Sequence, residues 1–146
     1  MTSDAPINGS NAALLNKEAI AALLRENATI FEYDYGTKQV DISWDKRRKN
    51  IIKSTEEIKP FANYHIITGE GNILDLDLDC KETRALADYF MPPTKMKYGR
   101  ESTPASHWLY KVLDLNKKHT RKAFIFEDED VTKKTLVELR AYDHYS

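Results

Sequence analysis

The amino-acid sequence predicts an α+β fold, because several short β-type segments occur together with two modest helical segments. The clearest strand is residues 72–79, in which Leu and Asp alternate strictly from Leu74 to Asp79. The clearest helix is residues 81–90, which carries one apolar stripe and is stopped by Pro92-Pro93. That apolar stripe consists of Ala85, Leu86, Tyr89 and Phe90.

The other elements are predicted from periodicity and turn residues. The expected order is a helix over 17–26 capped by Asn16, a hairpin of strands 29–34 and 39–43 around Gly36, a strand over 64–68, a strand over about 105–113, and strands 122–127 and 135–140 joined by an acidic turn at 127–130. Residues 1–12 are small and polar and are expected to be disordered, which leaves 13–146 as a single domain.

Composition narrows the class of protein. The chain has 146 residues, 41% of them hydrophobic, enough to bury a core, and its formal net charge is only -1. This balance neither indicates nor excludes nucleic-acid binding, because a basic face beside an acidic site sums to nearly zero. The single Cys80 excludes an internal disulfide and a Cys-rich zinc site. With no apolar run of membrane-spanning length and no signal-peptide pattern, we expect a soluble cytoplasmic protein without a membrane partner.

Three aspartates fall on one face of the strand 72–79, because side chains alternate between the two faces of a strand. The aspartates are Asp75, Asp77 and Asp79, and the leucines of the opposite face are Leu74, Leu76 and Leu78. Neighbouring aspartates lie about 6–7 Å apart and repel by about 2–3 kcal/mol at an effective dielectric of about 20. A divalent cation would compensate this cost, since carboxylates are preferred ligands of Mg²⁺ and Mn²⁺. The alternative is a solvent-facing edge strand whose aspartates pair with Lys or Arg.

The strand 135–140 contributes a further candidate. If it lies beside the aspartate strand, Glu138 becomes a third metal-binding carboxylate and the site could hold one or two ions. The alternative for Glu138 is a surface pair with Arg140, which would stabilise the fold little.

Four potential phosphate ligands lie before or within the aromatic strand predicted over about 105–113. They are Arg100, Ser106, His107 and Lys111. Alternation puts His107 and Lys111 on one face and Ser106 on the other. A separate basic cluster, Lys46, Arg47, Arg48 and Lys49, is either a solvated surface or a patch that contacts nucleic-acid phosphates.

Taken in order, these motifs resemble the N-terminal domain of bifunctional DNA primase–polymerases, of the archaeo-eukaryotic primase superfamily found in plasmids, phages and other mobile elements. The matching segments are DLDLDC at 75–80, ALADYFMPPT at 85–94, Gly99-Arg100, SHWLYKV at 106–112 and VELR at 137–140. They span about residues 62–146.

The resemblance implies an RRM-like catalytic core, with a mixed or antiparallel sheet and flanking helices, that transfers nucleotides to DNA. It implies metal ligands among Asp75, Asp77 and Asp79, with Asp77 and Asp79 favoured, and Glu138 as the third acidic residue. It also implies that His107 contacts the incoming nucleotide, with Arg100 and Ser106 as phosphate contacts, and the residue types alone add Lys111 to these nucleotide-binding candidates. Expected ligands and partners are two Mg²⁺ or Mn²⁺ ions, nucleoside triphosphates, a DNA template and primer, and a helicase or further primase region on this or another chain.

The sequence departs from the family pattern at three places. Ala105 stands where a serine is common, residues 141–144 replace a glycine-containing turn, and the chain stops at Ser146, before strands that complete the family's site. We therefore expect either an active primase or polymerase domain or a C-terminally truncated one. The alternatives are a catalytically incomplete nucleotide- or nucleic-acid-binding subunit of a replication protein, and a metal-dependent nuclease.

Overall fold

The computed structural model describes residues 9–33, 50–59, 63–100, 102–128, 131–142 and 144–145. The basic cluster of Lys46, Arg47, Arg48 and Lys49 lies outside these residues, as do the second strand and turn of the expected hairpin at 36–43 and residues 129–130 of the acidic turn. The chain divides into two compact units, Met1–His65 and Ile66–Ser146. Each unit is described by itself.

The helices and strands together form an α+β protein with antiparallel sheets. The helices are α1 (Gly9–Arg25) and α2 (Lys81–Phe90), with 3₁₀ turns at Thr55–Glu57 and Glu70–Asn72. The strands are β1 (Thr29–Tyr33), β2 (Ile51–Ile52), β3 (Asn63–Thr68), β4 (Ile73–Asp77), β5 (Lys97–Arg100), β6 (Thr103–Lys111), β7 (Arg121–Asp128), β8 (Val131–Arg140) and β9 (His144–Tyr145).

In the first unit, α1 begins at Gly9, well before the predicted start at 17, so residues 9–12 are helical rather than disordered. Asn16 therefore lies inside the helix instead of capping it. The run Ala12 to Leu15 consists of strong helix formers, which outweigh the capping tendency of Asn16. The helix ends where Asn27 takes a left-handed φ of 60° and Ala28 N donates to Leu23 O, a C-terminal cap that Asn tolerates.

Strand β1 pairs with β2 in antiparallel register, with Ile30 opposite Ile52. Ile30, Phe31 and Ile52 are buried together with Ile20 and Leu23 of α1. These apolar side chains form the buried part of the first unit.

The second unit contains an antiparallel sheet of five strands in the order β5-β6-β4-β8-β7. The strand β5 was not predicted, because Lys97–Arg100 reads as a polar lead-in to β6. Strands β3 and β4 are joined by a tight turn, in which Gly69 has a φ of 90°. This turn lies near the end of β6. A Cβ at Gly69 would lie 2.6 Å from the Tyr142 ring, so this glycine accommodates the bulky residue that follows β8.

One face of this sheet is covered by α2. The buried cluster on that face is Leu76, Leu78, Ala87 and Trp108, with Met91, Tyr110, Val137 and Leu139 packed around it. The helix is the one predicted, but its apolar stripe faces outward: Tyr89 is 81% exposed and Phe90 76%. The inward stripe is instead Thr83, Ala87 and Met91, spaced four residues apart, because Thr83 Oγ1 donates to Leu136 O and fixes the rotation of the helix.

Candidate metal and nucleotide site

The face of the five-stranded sheet opposite α2 carries the candidate site. Strand β4 is the central strand and pairs with β6 on one side and β8 on the other. Asp77 lies opposite His107 on β6 and opposite Glu138 on β8, and Asp75 lies opposite Arg140. Since opposite residues of antiparallel strands share a face, these side chains converge there.

This placement overturns one half of the alternative for the aspartates, the edge strand, whereas the other half, pairing with an arginine, is present between Asp77 and Arg140. The strand is not a solvent-facing edge strand, because it has a neighbour on each side, and Asp75 and Asp77 are 0% and 6% exposed. Glu138 is likewise only 6% exposed and is no simple surface residue. Three carboxylates thus lie on a face where burial makes each uncompensated negative charge costly.

Asp77, Asp79 and Glu138 are close enough to share one cation. One oxygen from each lies within 4.8 Å of the other two. The strand ends at Asp77, two residues earlier than predicted, and the exposed Asp79 follows it. The main-chain bond from Leu78 N to Ser106 O, 2.7 Å long, holds the chain beside β6 at this point. These are the three acidic residues for which the primase–polymerase resemblance implies catalysis.

Asp75 has a different environment from the other two aspartates. Its Oδ2 accepts a hydrogen bond from His107 Nδ1 at 3.0 Å and lies 3.8 Å from Arg140 Nη1. Asp75 is therefore placed to orient His107 and Arg140 rather than to face the cluster of Asp77, Asp79 and Glu138.

Two arginines bind the carboxylate cluster. Arg140 Nη2 lies 2.5 Å from Asp77 Oδ2 and 3.1 Å from Glu138 Oε2, so one guanidinium nitrogen bridges two of the three carboxylates. Arg121 Nε, on β7, donates to Glu138 Oε1. The pair of Glu138 and Arg140 was one of the sequence alternatives, and it is present in a buried form. Sequence reasoning missed Arg121, which lies directly before the predicted strand 122–127 and is the first residue of β7.

Two contacts fix the ring of His107, one at a ring nitrogen and one at a ring face. Asp75 holds Nδ1, and the ring of Tyr98 on β5 stacks on the imidazole with centroids 4.8 Å apart and planes 13° apart. Burial alone lowers the pKa of His107, but the hydrogen bond to Asp75 and the charges of Asp75 and Asp77 outweigh it and raise that pKa above its ordinary value. His107 is thus inclined toward its cationic form. Tyr98 was missed because β5 was not recognised as a strand.

The carboxylates respond differently to this environment. Burial raises the pKa of Asp77, more than His107 and Arg140 lower it, and burial and the charge of Glu138 raise the pKa of Asp79. For Glu138, burial opposes ionisation, but the hydrogen bonds from Arg121 and Arg140 outweigh it and lower the pKa. The ion pairs thus favour the ionised form of Glu138, whereas the ionised forms of Asp77 and Asp79 are disfavoured.

The other predicted phosphate ligands do not join this cluster. Ser106 is buried on the alternate face of β6, and Arg100 is exposed on β5. Lys111 is exposed and lies opposite Ile73, about 13 Å along β6 from His107 at the usual rise per residue. Only His107 of the predicted nucleotide contacts is brought against the carboxylates.

A β-bulge in β6 precedes His107. Ala105 has a left-handed φ of 53°, uncommon for a residue with a Cβ, where β5 and β6 shift register. A Cβ at Gly99 would lie 2.2 Å from Thr103 O and 2.9 Å from Ser106 Oγ, so β5 can approach here only with glycine. The close approach brings Tyr98 onto the ring of His107.

The donor set fits a hard divalent cation, because it consists of three carboxylates at the separation that one ion can bridge. Arg140 occupies the position between Asp77 and Glu138, so a cation must compete with its guanidinium. Comparison with known proteins found no matching family model, no matching curated protein and no matching solved structure. Among the described residues, no helix is both long and apolar enough to cross a membrane.

Proposed function

We propose that this chain is a metal-dependent nucleotidyltransferase of the primase–polymerase type, with an RRM-like core, that extends a DNA primer with nucleotides from nucleoside triphosphates. The observation that carries this proposal is the convergence of Asp77, Asp79 and Glu138 beside His107 on one face of the central strands. The order of the sequence motifs supports the same reaction class. With Cys80 as its one cysteine, the protein would act in a reducing cytoplasm, including that of a host cell.

Asp77, Asp79 and Glu138 would hold Mg²⁺ or Mn²⁺, one ion or two. A bound ion would activate the attacking 3′-hydroxyl and neutralise charge that develops on the triphosphate. Burial raises the pKa values of Asp77 and Asp79, so a cation there would also remove an electrostatic cost.

His107 would contact the triphosphate through Nε2, because Nδ1 is bound to Asp75. Its raised pKa favours the cationic imidazolium, which suits an anionic phosphate. Asp75 and Tyr98 act as positioning residues: one fixes the ring nitrogen that faces the sheet, and the other fixes the ring plane. Arg140, once displaced by the metal, would carry its charge toward the same phosphates.

A second candidate is a nucleotide- or nucleic-acid-binding subunit without catalysis. One observation favours it: Arg140 and Arg121 already bind Asp77 and Glu138, so the charge of the cluster is partly balanced without a metal. In that case the arginines would stay on the carboxylates, and divalent cations would bind weakly.

Primer extension with labelled nucleotides separates these candidates. The assay uses a primed DNA template and Mg²⁺ or Mn²⁺, and compares wild type with Asp77→Asn, His107→Gln and the control Asp114→Asn. Asp114 is an exposed carboxylate outside the cluster, so the control makes the same chemical change without touching the site. We expect extension by wild type and Asp114→Asn, and its loss in Asp77→Asn, because the amide cannot replace a metal-binding carboxylate.

The other outcomes are equally informative. No extension by wild type with either metal contradicts the polymerase proposal. Shortening of the primer, lost in Asp77→Asn, identifies a nuclease instead. Calorimetric binding of a nucleoside triphosphate without any turnover, and without dependence on Mn²⁺, supports the non-catalytic candidate.

A further inference from the structure

Strand β7 forms one edge of the five-stranded sheet. It has β8 on one side and, within the described residues, no strand on the other. Phe124 is 51% exposed and Ile125 50%. Successive side chains point to opposite faces, so β7 exposes apolar surface on both. An exposed apolar edge strand is a ready template for pairing with another strand.

The middle of β7 lacks several of the protections that edge strands commonly carry. Its sequence, RKAFIFED, contains no Pro and no Gly, and its middle residues Ala123 to Phe126 carry no charge. The register irregularities between β7 and β8 place the extra residue on β8. Phe124 and Ile125 are consecutive, whereas their partners Val137 and Thr135 are two residues apart. The edge strand itself therefore stays regular.

The charges of β7 indicate what pairs with it. The strand begins with the basic residues Arg121 and Lys122 and ends with the acidic residues Glu127 and Asp128. A second copy in antiparallel orientation brings its acidic end beside the basic start of the first, twice by symmetry. We propose that two copies of this chain associate through β7 about a two-fold axis, joining their sheets into one. This inference does not depend on the proposed enzymatic function.

Strand geometry selects the register of the pairing. Two directly opposite residues of paired antiparallel strands point to the same face of the sheet. A two-fold axis also makes the same residue of each copy point to one face, so the sequence numbers of two opposite residues must add to an even number. A register centred on Ile125 places Lys122 opposite Asp128 of the second copy. A register centred on Phe124 would instead need Arg121, which is already bound to Glu138. The Ile125 register also puts a β-branched side chain at the axis, which favours a strand pair.

Sedimentation velocity from low micromolar to several hundred micromolar tests the proposal on the full chain. We expect wild type to form a dimer that dissociates on dilution and weakens with salt. Lys122→Glu and Asp128→Lys each place like charges opposite one another at both ends, so each should raise the dissociation constant at least about tenfold. The double charge swap Lys122→Glu/Asp128→Lys should restore the dimer.

A control variant separates β7 from the other exposed apolar surface. Tyr89 on α2 is 81% exposed, and Tyr89→Lys should leave the dimer unchanged. Circular dichroism confirms that each variant is folded. Four results would overturn the proposal: a monomer at every concentration, an open-ended series of larger species, dissociation by Tyr89→Lys, or a folded double variant that fails to recover.

Discussion

The two faces of the five-stranded sheet follow opposite rules although the same strands build both. On the face covered by α2, the central strand contributes Leu76 and Leu78, which are buried against Ala87 and Trp108. On the other face, the same strand contributes the buried Asp75 and Asp77. Removal of apolar surface from water makes the first face stabilise the fold, whereas burial of charge makes the second face destabilise it.

The contrast between the two faces makes the polar face the candidate for function. A buried leucine requires no explanation beyond the core, but buried carboxylates need compensating cations. In this structure Arg140 and Arg121 provide those cations, and His107 adds to them in its protonated form, which its raised pKa favours. The polar face is therefore a charge network that the arginines balance only in part, and a metal ion that entered it would compete with Arg140 for Asp77 and Glu138. Each prediction below perturbs the balance of that face.

The largest expected effect follows removal of Arg140. Arg140→Met takes the bridging cation from Asp77 and Glu138, and loss of one partner from a buried ion pair typically costs about 3–5 kcal/mol of stability. Urea denaturation with a chelator present measures the cost. Saturating Mn²⁺ should restore much of it, because the vacated carboxylates then bind the metal more tightly than in wild type.

Arg121→Met provides the matched control for that experiment. Arg121 also binds Glu138, but its side chain is 52% exposed, against 21% for Arg140. Its removal should therefore cost clearly less stability. Equal costs for the two variants would mean that Arg140 does not hold the buried face together. An unchanged Mn²⁺ affinity in Arg140→Met would contradict the competition between guanidinium and metal.

The Asp77→Asn variant should show a smaller effect of opposite sign. Burial raises the pKa of Asp77, so folding favours its neutral form, and a neutral amide of the same shape should leave the protein at least as stable as wild type in chelator. Its Mn²⁺ affinity should fall at least about tenfold, since a ligand is lost. A marked loss of stability in Asp77→Asn would show that Asp77 is a structural ion-pair residue instead.

On the other face, Leu78→Ala should cost about 2–5 kcal/mol of stability and leave Mn²⁺ affinity unchanged.

The sequence predicted much of the strand that builds both faces. Alternation of Leu and Asp over 74–79 predicted which side chains of β4 face the core. Glu138 was predicted as a neighbour of the aspartates on the condition that its strand lies beside theirs, and β8 does pair with β4. The exposed stripe of α2 was not predictable, because periodicity identifies an apolar stripe without saying what covers it. Arg121 and Tyr98 were missed since their roles depend on register across strands, which no local pattern encodes. The roles of Asp77, Asp79, Glu138 and His107 remain predictions.

The smallest expected effect is a pH dependence that His107 adds to stability. Its pKa is raised in the folded protein because the hydrogen bond to Asp75 and the nearby charges outweigh the effect of burial. The stabilising contribution is therefore fully present below its unfolded pKa of about 6.5, and it is lost as the pH rises through the higher folded value. Urea midpoints of wild type and His107→Gln, measured in chelator from slightly acidic to mildly alkaline pH, should converge as the pH rises, because glutamine does not titrate. A gap between the two that widens with rising pH would mean that burial, rather than Asp75, dominates the environment of His107. In that case the imidazole would be neutral at the site and unsuited to an anionic phosphate.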